Sequence, residues 1–217
     1  MGRFFNYDSG IMQALGKLFD CICLNLLWII CCIPVFTVGA ASTAYYYAYN
    51  KAIRQKRSYA SKEFFHGFKI SFKQSTVVWL ITLVLYVVTI FDLMILNGMS
   101  DTVNFMEIIM AFILVLLILL TVWVAYVFPY MARFENNTKA IIKNCILIMI
   151  ANLPWSLLLL VLFVITVGVF LFIPMLGMFA PAIYLPFANL ILERVFRKYM
   201  TPEDLESEKE IDMYSKR

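Results

Sequence analysis

The chain has 217 residues, 63% hydrophobic and only 15% charged, with a formal net charge of +4 and a mean hydropathy of +0.83. A soluble globular domain is nearer half apolar and one quarter charged. No water-soluble domain of this length hides so much apolar surface, so the composition points to the bilayer.

Four stretches lack any Asp, Glu, Lys or Arg: Cys21 to Asn50, Gln74 to Phe91, Ile108 to Ala132 and Asn144 to Leu192. A helix needs about 20 apolar residues to cross the hydrocarbon core, and the last stretch is long enough for two. The N-terminus does not read as a cleavable signal, because Asp8, Lys17 and Asp20 precede the first apolar run and no small-residue cleavage site follows it. Met1-Gly2 lacks the Ser or Thr at position 6 that myristoylation requires, since Asn6 stands there.

In chain order, Pro34 and Gly39 break the first stretch into helices at about Ile11 to Ile33 and Val38 to Arg54. Both are short of apolar residues, which leaves either two crossings or a re-entrant hairpin. Unbroken helices follow near Ser75 to Asn97 and Phe105 to Ala132. Pro174 and Gly177 divide the final stretch into helices near Cys145 to Leu171 and Met175 to Arg197. The expectation is an all-α polytopic membrane bundle of about six transmembrane helices, one domain over residues 1–200. An acidic, solvated and mobile tail follows over 201–217.

Charge sets the orientation. With both termini in the cytoplasm, the N-terminus, residues 51–75, residues 133–144 and the C-terminus carry all 18 Lys and Arg residues. The outer connections carry none, as the positive-inside rule requires. A five-helix arrangement would place Arg3 and Lys17 outside.

Two groups of candidate site residues emerge. In the basic segment after the first hairpin, Lys62, Lys69 and Lys73 interleave with Phe64, Phe65, Phe68 and Phe72, aromatic residues sharing one helical face. This predicts a short amphipathic helix on the inner leaflet, its lysines toward anionic headgroups, or a docking surface for a partner. The second group is polar and intramembrane: Asn25, Thr43, Asp92, Asn152 and Asn189. Unpaired amides in apolar surroundings are costly and tend to bond across helices, so these residues read as structural glue or as a solute path. Asp92 lies five residues before Asn97, near the outer headgroups, where its carboxylate reaches water.

Other features read structurally. Tyr45, Tyr46, Tyr47 and Tyr49 precede Lys51 and suit an interfacial aromatic belt. The single histidine, His66, has no ligand-spaced partner, and the five cysteines sit in or beside apolar runs as packing residues. No phosphate-binding loop, nucleophile elbow or zinc-protease motif occurs, so neither catalysis nor a cofactor or metal is expected. Nucleic acid is not an expected partner, because the basic residues stand within a helix length of the bilayer.

Asn25-Leu26-Leu27-Trp28, then Pro34 and Thr37-Val38-Gly39-Ala40 before a tyrosine-rich helix, resemble the YesL family of small bacterial membrane proteins of unknown function. Phe64-Phe65-His66-Gly67-Phe68-Lys69, Phe128-Pro129 and Asn152-Leu153-Pro154 extend the resemblance over most of residues 5–200. Genes of that family often lie beside those for carbohydrate ABC importers. The resemblance therefore implies a cell-membrane protein of carbohydrate uptake, accessory or regulatory, that contacts permease subunits. The competing expectation is a stand-alone transporter or channel for a small solute, and a third is a membrane scaffold without substrate.

Overall fold

The computed structural model describes residues 10–54, 59–98, 104–172, 180–203 and 205–206. The Pro174/Gly177 turn and residues 207–217 of the acidic tail lie outside them. Among the described residues the regular structure is all helix: α1 (Gly10–Cys32), α2 (Val38–Ala48), α3 (Ala60–Gly98), α4 (Asn104–Arg133), α5 (Thr138–Ala151), α6 (Leu153–Phe172) and α7 (Ala180–Phe196). A 3-10 turn (Val35–Thr37) links α1 to α2, and a π-helical turn (Tyr49–Arg54) extends α2.

The break after α1 follows from its residues. Pro34 cannot donate to a preceding carbonyl, and it sits extended at φ −75°, ψ 114°. Thr37 Oγ1 turns back to donate to the carbonyls of Cys31 and Pro34, the latter at 2.6 Å. Trp79 Nε1 of α3 donates to the Val35 carbonyl at 2.7 Å, so the turn is stitched to its neighbour.

α2 is the hub. Eight of its 11 residues are buried, and Ala40, Ala41, Ala44 and Ala48 give it a narrow profile. Such residues let helix backbones approach closely where lipid supplies no hydrophobic drive. α2 runs antiparallel to α3 in tight register. A Cβ at Gly39 would lie 2.6 Å from Trp79 Cβ and 2.7 Å from the Ser75 carbonyl. Thr43 and Ser75 hydroxyls meet at 3.0 Å, and a Cβ at Gly67 would meet the Tyr47 ring at 2.9 Å. Trp28 Nε1 of α1 donates to Ser42 Oγ on another side of α2. One apolar cluster joins α1, α2 and the start of α3; a larger one joins α4 to α7, with Tyr46 and Val78 reaching into it.

Two boundaries differ from the sequence expectation. The segment expected to form a separate surface helix is the beginning of α3, which runs unbroken for 39 residues. At about 1.5 Å per residue it is roughly twice the length needed to cross a bilayer core. No Pro or Gly interrupts it at Gln74 or Ser75, and α2 packs along both parts. The helix expected near Cys145 to Leu171 is broken at Asn152, which leaves helical geometry (φ −124°, ψ 45°) before Pro154. α5 is tied at both ends to the end of the bundle where α4 and α7 finish. Gln74 Nε2 reaches the Asn136 carbonyl at its start, while Tyr199 and Lys198 reach Asn152 at its close.

α3, α4 and α6 are long and apolar enough to cross a membrane. Their outward residues, among them Val84, Val88, Phe91, Phe112, Val115, Val164 and Phe170, are exposed. An apolar surface this continuous suits lipid, not water. α1 adds a shorter apolar segment, Phe19–Cys32.

The glycine packing makes a contrast that can be measured. Gly39→Ala should destabilise the detergent-solubilised protein by about 1–3 kcal/mol through overpacking. Gly168→Ala, where a Cβ meets nothing within 4 Å, should stabilise it by up to about 1 kcal/mol through helix propensity. Thermal unfolding of the two variants beside the parent checks both signs.

Candidate functional site

The C-terminal ends of α2, α4 and α7 and the early part of α3 converge on one polar cluster. α7 supplies Glu193, whose side chain is only 5% exposed, because Asn189, Leu192 and Phe196 turn the same helical face inward. Arg133, the last residue of α4, meets it with Nη2 to Oε2 at 3.1 Å. Tyr46 of α2, fully surrounded, donates its hydroxyl to Glu193 Oε1 at 3.1 Å. The Asn50 amide faces the same hydroxyl, and Asn189 Nδ2 donates to Asn50 Oδ1 at 3.0 Å. Five side chains from three helices and the π turn thus form one chain of polar contacts.

Removing a charge from water costs several kcal/mol, which only a well-placed counter-charge and further hydrogen bonds recover. Here Glu193 has both, so the pair locks the α2, α4 and α7 ends in one arrangement. Beside it opens a cavity of about 280 Å³, lined by Thr43, Tyr47, Asn50, Lys51, Ser71, Arg133 and Glu135 together with apolar neighbours. Lys51 Nζ donates to the Tyr47 hydroxyl and sits 4.4 Å from that ring's centre. The π turn places Asn50 and Lys51 on this wall.

The intramembrane candidates are distributed over several parts of the bundle. Thr43 borders the cavity, with its hydroxyl held by the Gly39 carbonyl and Ser75. Asn189 reaches the same region only through Asn50. Asn152 lies at the α5–α6 break, bonded to Ile148, Tyr199 and Lys198. Asn25 is buried on α1, and Asp92 is exposed on α3, about 25 Å along the helix from Ser75 at 1.5 Å per residue.

The second group divides by side chain. Lys62, Lys69 and Lys73 are exposed, as are Phe65 and the edge of Phe72. Phe64 is fully buried against α1 and α2, and Phe68 is partly buried beside it; Phe64, Phe68 and Phe72 form a ladder with centroid spacings of 6.2 and 5.3 Å. The aromatic face therefore turns toward the protein over its first turns, and the lysines turn away. The tyrosine belt divides too: Tyr45 and Tyr46 are core residues.

Sequence reasoning missed Glu193, Arg133 and Tyr46. The available signal was Glu193 itself, four residues after a buried asparagine and surrounded by Leu192, Val195 and Phe196. That spacing puts acid and amide on one inward face. Removing one partner of a buried ion pair costs about 3–5 kcal/mol, so Glu193→Ala should lower unfolding stability by that order. The double variant Arg133→Met with Glu193→Leu should recover much of the loss, as detergent-phase denaturation of these two variants and the parent would show.

The family described as "Protein of unknown function, DUF624", the domain of YesL-like proteins, matches residues 21–93. This is less than half of the chain and runs from the middle of α1 through most of α3, including the hairpin and the α2–α3 seam. No curated protein and no solved structure matches the chain.

Proposed function

We propose that this is a YesL-like, multi-pass protein of the bacterial cell membrane, an accessory or regulatory component of carbohydrate uptake that touches the permease subunits of an ABC importer. It has no catalytic activity of its own. In this reading α3, α4, α6 and α7 cross the membrane, both termini are cytoplasmic, and α5 lies along the cytoplasmic face. α1 and α2 form a re-entrant hairpin from that face, because its turn meets Trp79 midway along α3, and backbone enclosed by protein is tolerated at membrane depth.

The observation that carries the accessory reading is the use of the buried polar groups. Thr43, Asn152 and Asn189 are bonded to neighbouring helices and their flanks, and Asn152 and Asp92 lie outside the lining of the cavity that Thr43 borders. A transporter needs such groups to face a shared solute path. A bundle that binds another membrane protein needs them to hold its own shape, with broad apolar faces outward, as α3, α4 and α6 have. The carbohydrate part rests on the family resemblance, while the DUF624 match supports a YesL-like domain of unknown function.

The test is co-purification from native membranes in mild detergent through a C-terminal tag. Importer subunits recovered in fixed ratio, with slower sugar uptake in the deletion strain, are the expected result. Recovery of the chain alone, from cells expressing the importer, would overturn the proposal.

A further inference from the structure

We propose that the cavity at the basic end of the bundle binds a hydroxyl-bearing phosphate ester, with Lys51 as its principal anion ligand. The inference does not rest on contact with an importer.

The cavity sets one lysine among apolar and polar neighbours. Lys51 carries three N–H donors, one of which goes to Tyr47, and no acidic residue pairs with it among the described residues. Asn50 is 5% exposed; its Oδ1 accepts from Asn189 Nδ2 and its amide faces the Tyr46 hydroxyl, so it fills the wall beside Lys51 without offering a free donor. Arg133 enters the same wall with its guanidinium oriented by Glu193. With the Arg133 charge met by Glu193, Lys51 supplies the uncompensated positive charge and free N–H donors, which suit an acceptor-rich anion, and phosphate oxygens are the strongest such acceptors.

The remaining lining selects what is attached to the phosphate. Ser71 donates to the Gly67 carbonyl at 2.7 Å, so its oxygen is left to accept from a ligand. Glu135 stands exposed at the rim, where it accepts from a hydroxyl and repels a second anionic group. A volume of about 280 Å³ is at the small end of ligand pockets, roughly 300–1,000 Å³, which favours a short polyol phosphate. The π turn is itself suggestive, because single π-helical turns recur at functional sites. This one delivers both Asn50 and Lys51. A soluble polyol phosphate and the headgroup of phosphatidylglycerol share this chemistry.

The experiment follows the melting temperature of the full-length protein. In neutral maltoside micelles it is titrated with glycerol 3-phosphate, and with glycerol alone as the uncharged comparison. In nanodiscs, phosphatidylcholine is compared with phosphatidylcholine containing phosphatidylglycerol. Binding to the folded state raises the melting point saturably. A rise with glycerol 3-phosphate but not glycerol identifies a soluble ligand; a rise confined to phosphatidylglycerol discs identifies the lipid headgroup. In either case Lys51→Met should weaken the effect at least about tenfold, since a charged hydrogen bond is lost. Ser71→Ala, on the α3 side of the cavity, should weaken it several-fold, and Lys62→Met, outside the cavity, should leave it intact. No rise with either probe, or equal rises in the parent and both cavity variants, would overturn the assignment.

Discussion

The close approach of α2 to α3 is the constraint on which the rest of the structure depends. Gly39 leaves no room for a methyl group against the Ser75 carbonyl and the Trp79 side chain. In a bilayer, helices gain little by burying apolar surface from lipid of equal apolarity, so association comes from contact area and interhelical hydrogen bonds. Small residues provide the first and the Thr43–Ser75 pair the second. With α2 seated there, Tyr46 reaches Glu193 of α7 and the π turn presents Asn50 and Lys51 to the cavity. A looser seam would disturb all of these together.

Much of this was legible in the sequence, because the bilayer leaves few options for an apolar chain. Charge-free stretches located the long helices, and Pro34 with Gly39 located the first turn. The P-x-x-T-V-G-A string has a structural reason at nearly every position: Pro34 ends α1, Thr37 caps back onto it, and Gly39 admits α3. What stayed hidden depends on partners distant in sequence. Nothing local says that Phe64 faces α1 and α2 and not lipid, since a lysine-phenylalanine pattern serves both. The break at Asn152 was obscured because its neighbours are as apolar as those of a spanning helix; Pro154 was the sign. The ion pair of Arg133 and Glu193 joins residues 60 apart, each of which reads alone as an ordinary charge at a helix end.

The two ends of the molecule therefore differ in kind. One end holds the ion pair, the cavity and the lysines of α3. Away from it, α3, α4 and α6 present aliphatic and aromatic side chains outward, with few polar groups. A protein arranged this way has a rigid polar face beside water and headgroups and a broad apolar flank for lipid or for other membrane helices. Both features are compatible with the proposed accessory role.

The register of α2 on α3 is the most direct thing to measure. In a background with the five native cysteines replaced, Thr43→Cys paired with Ser75→Cys brings two thiols to positions whose hydroxyls now lie 3.0 Å apart. Mild oxidation in membranes should join them nearly completely within the chain, while Thr43→Cys paired with Thr82→Cys, about two turns away, should remain reduced. Efficient cross-linking of the second pair, or none of the first, would contradict the seam and the arrangement built on it.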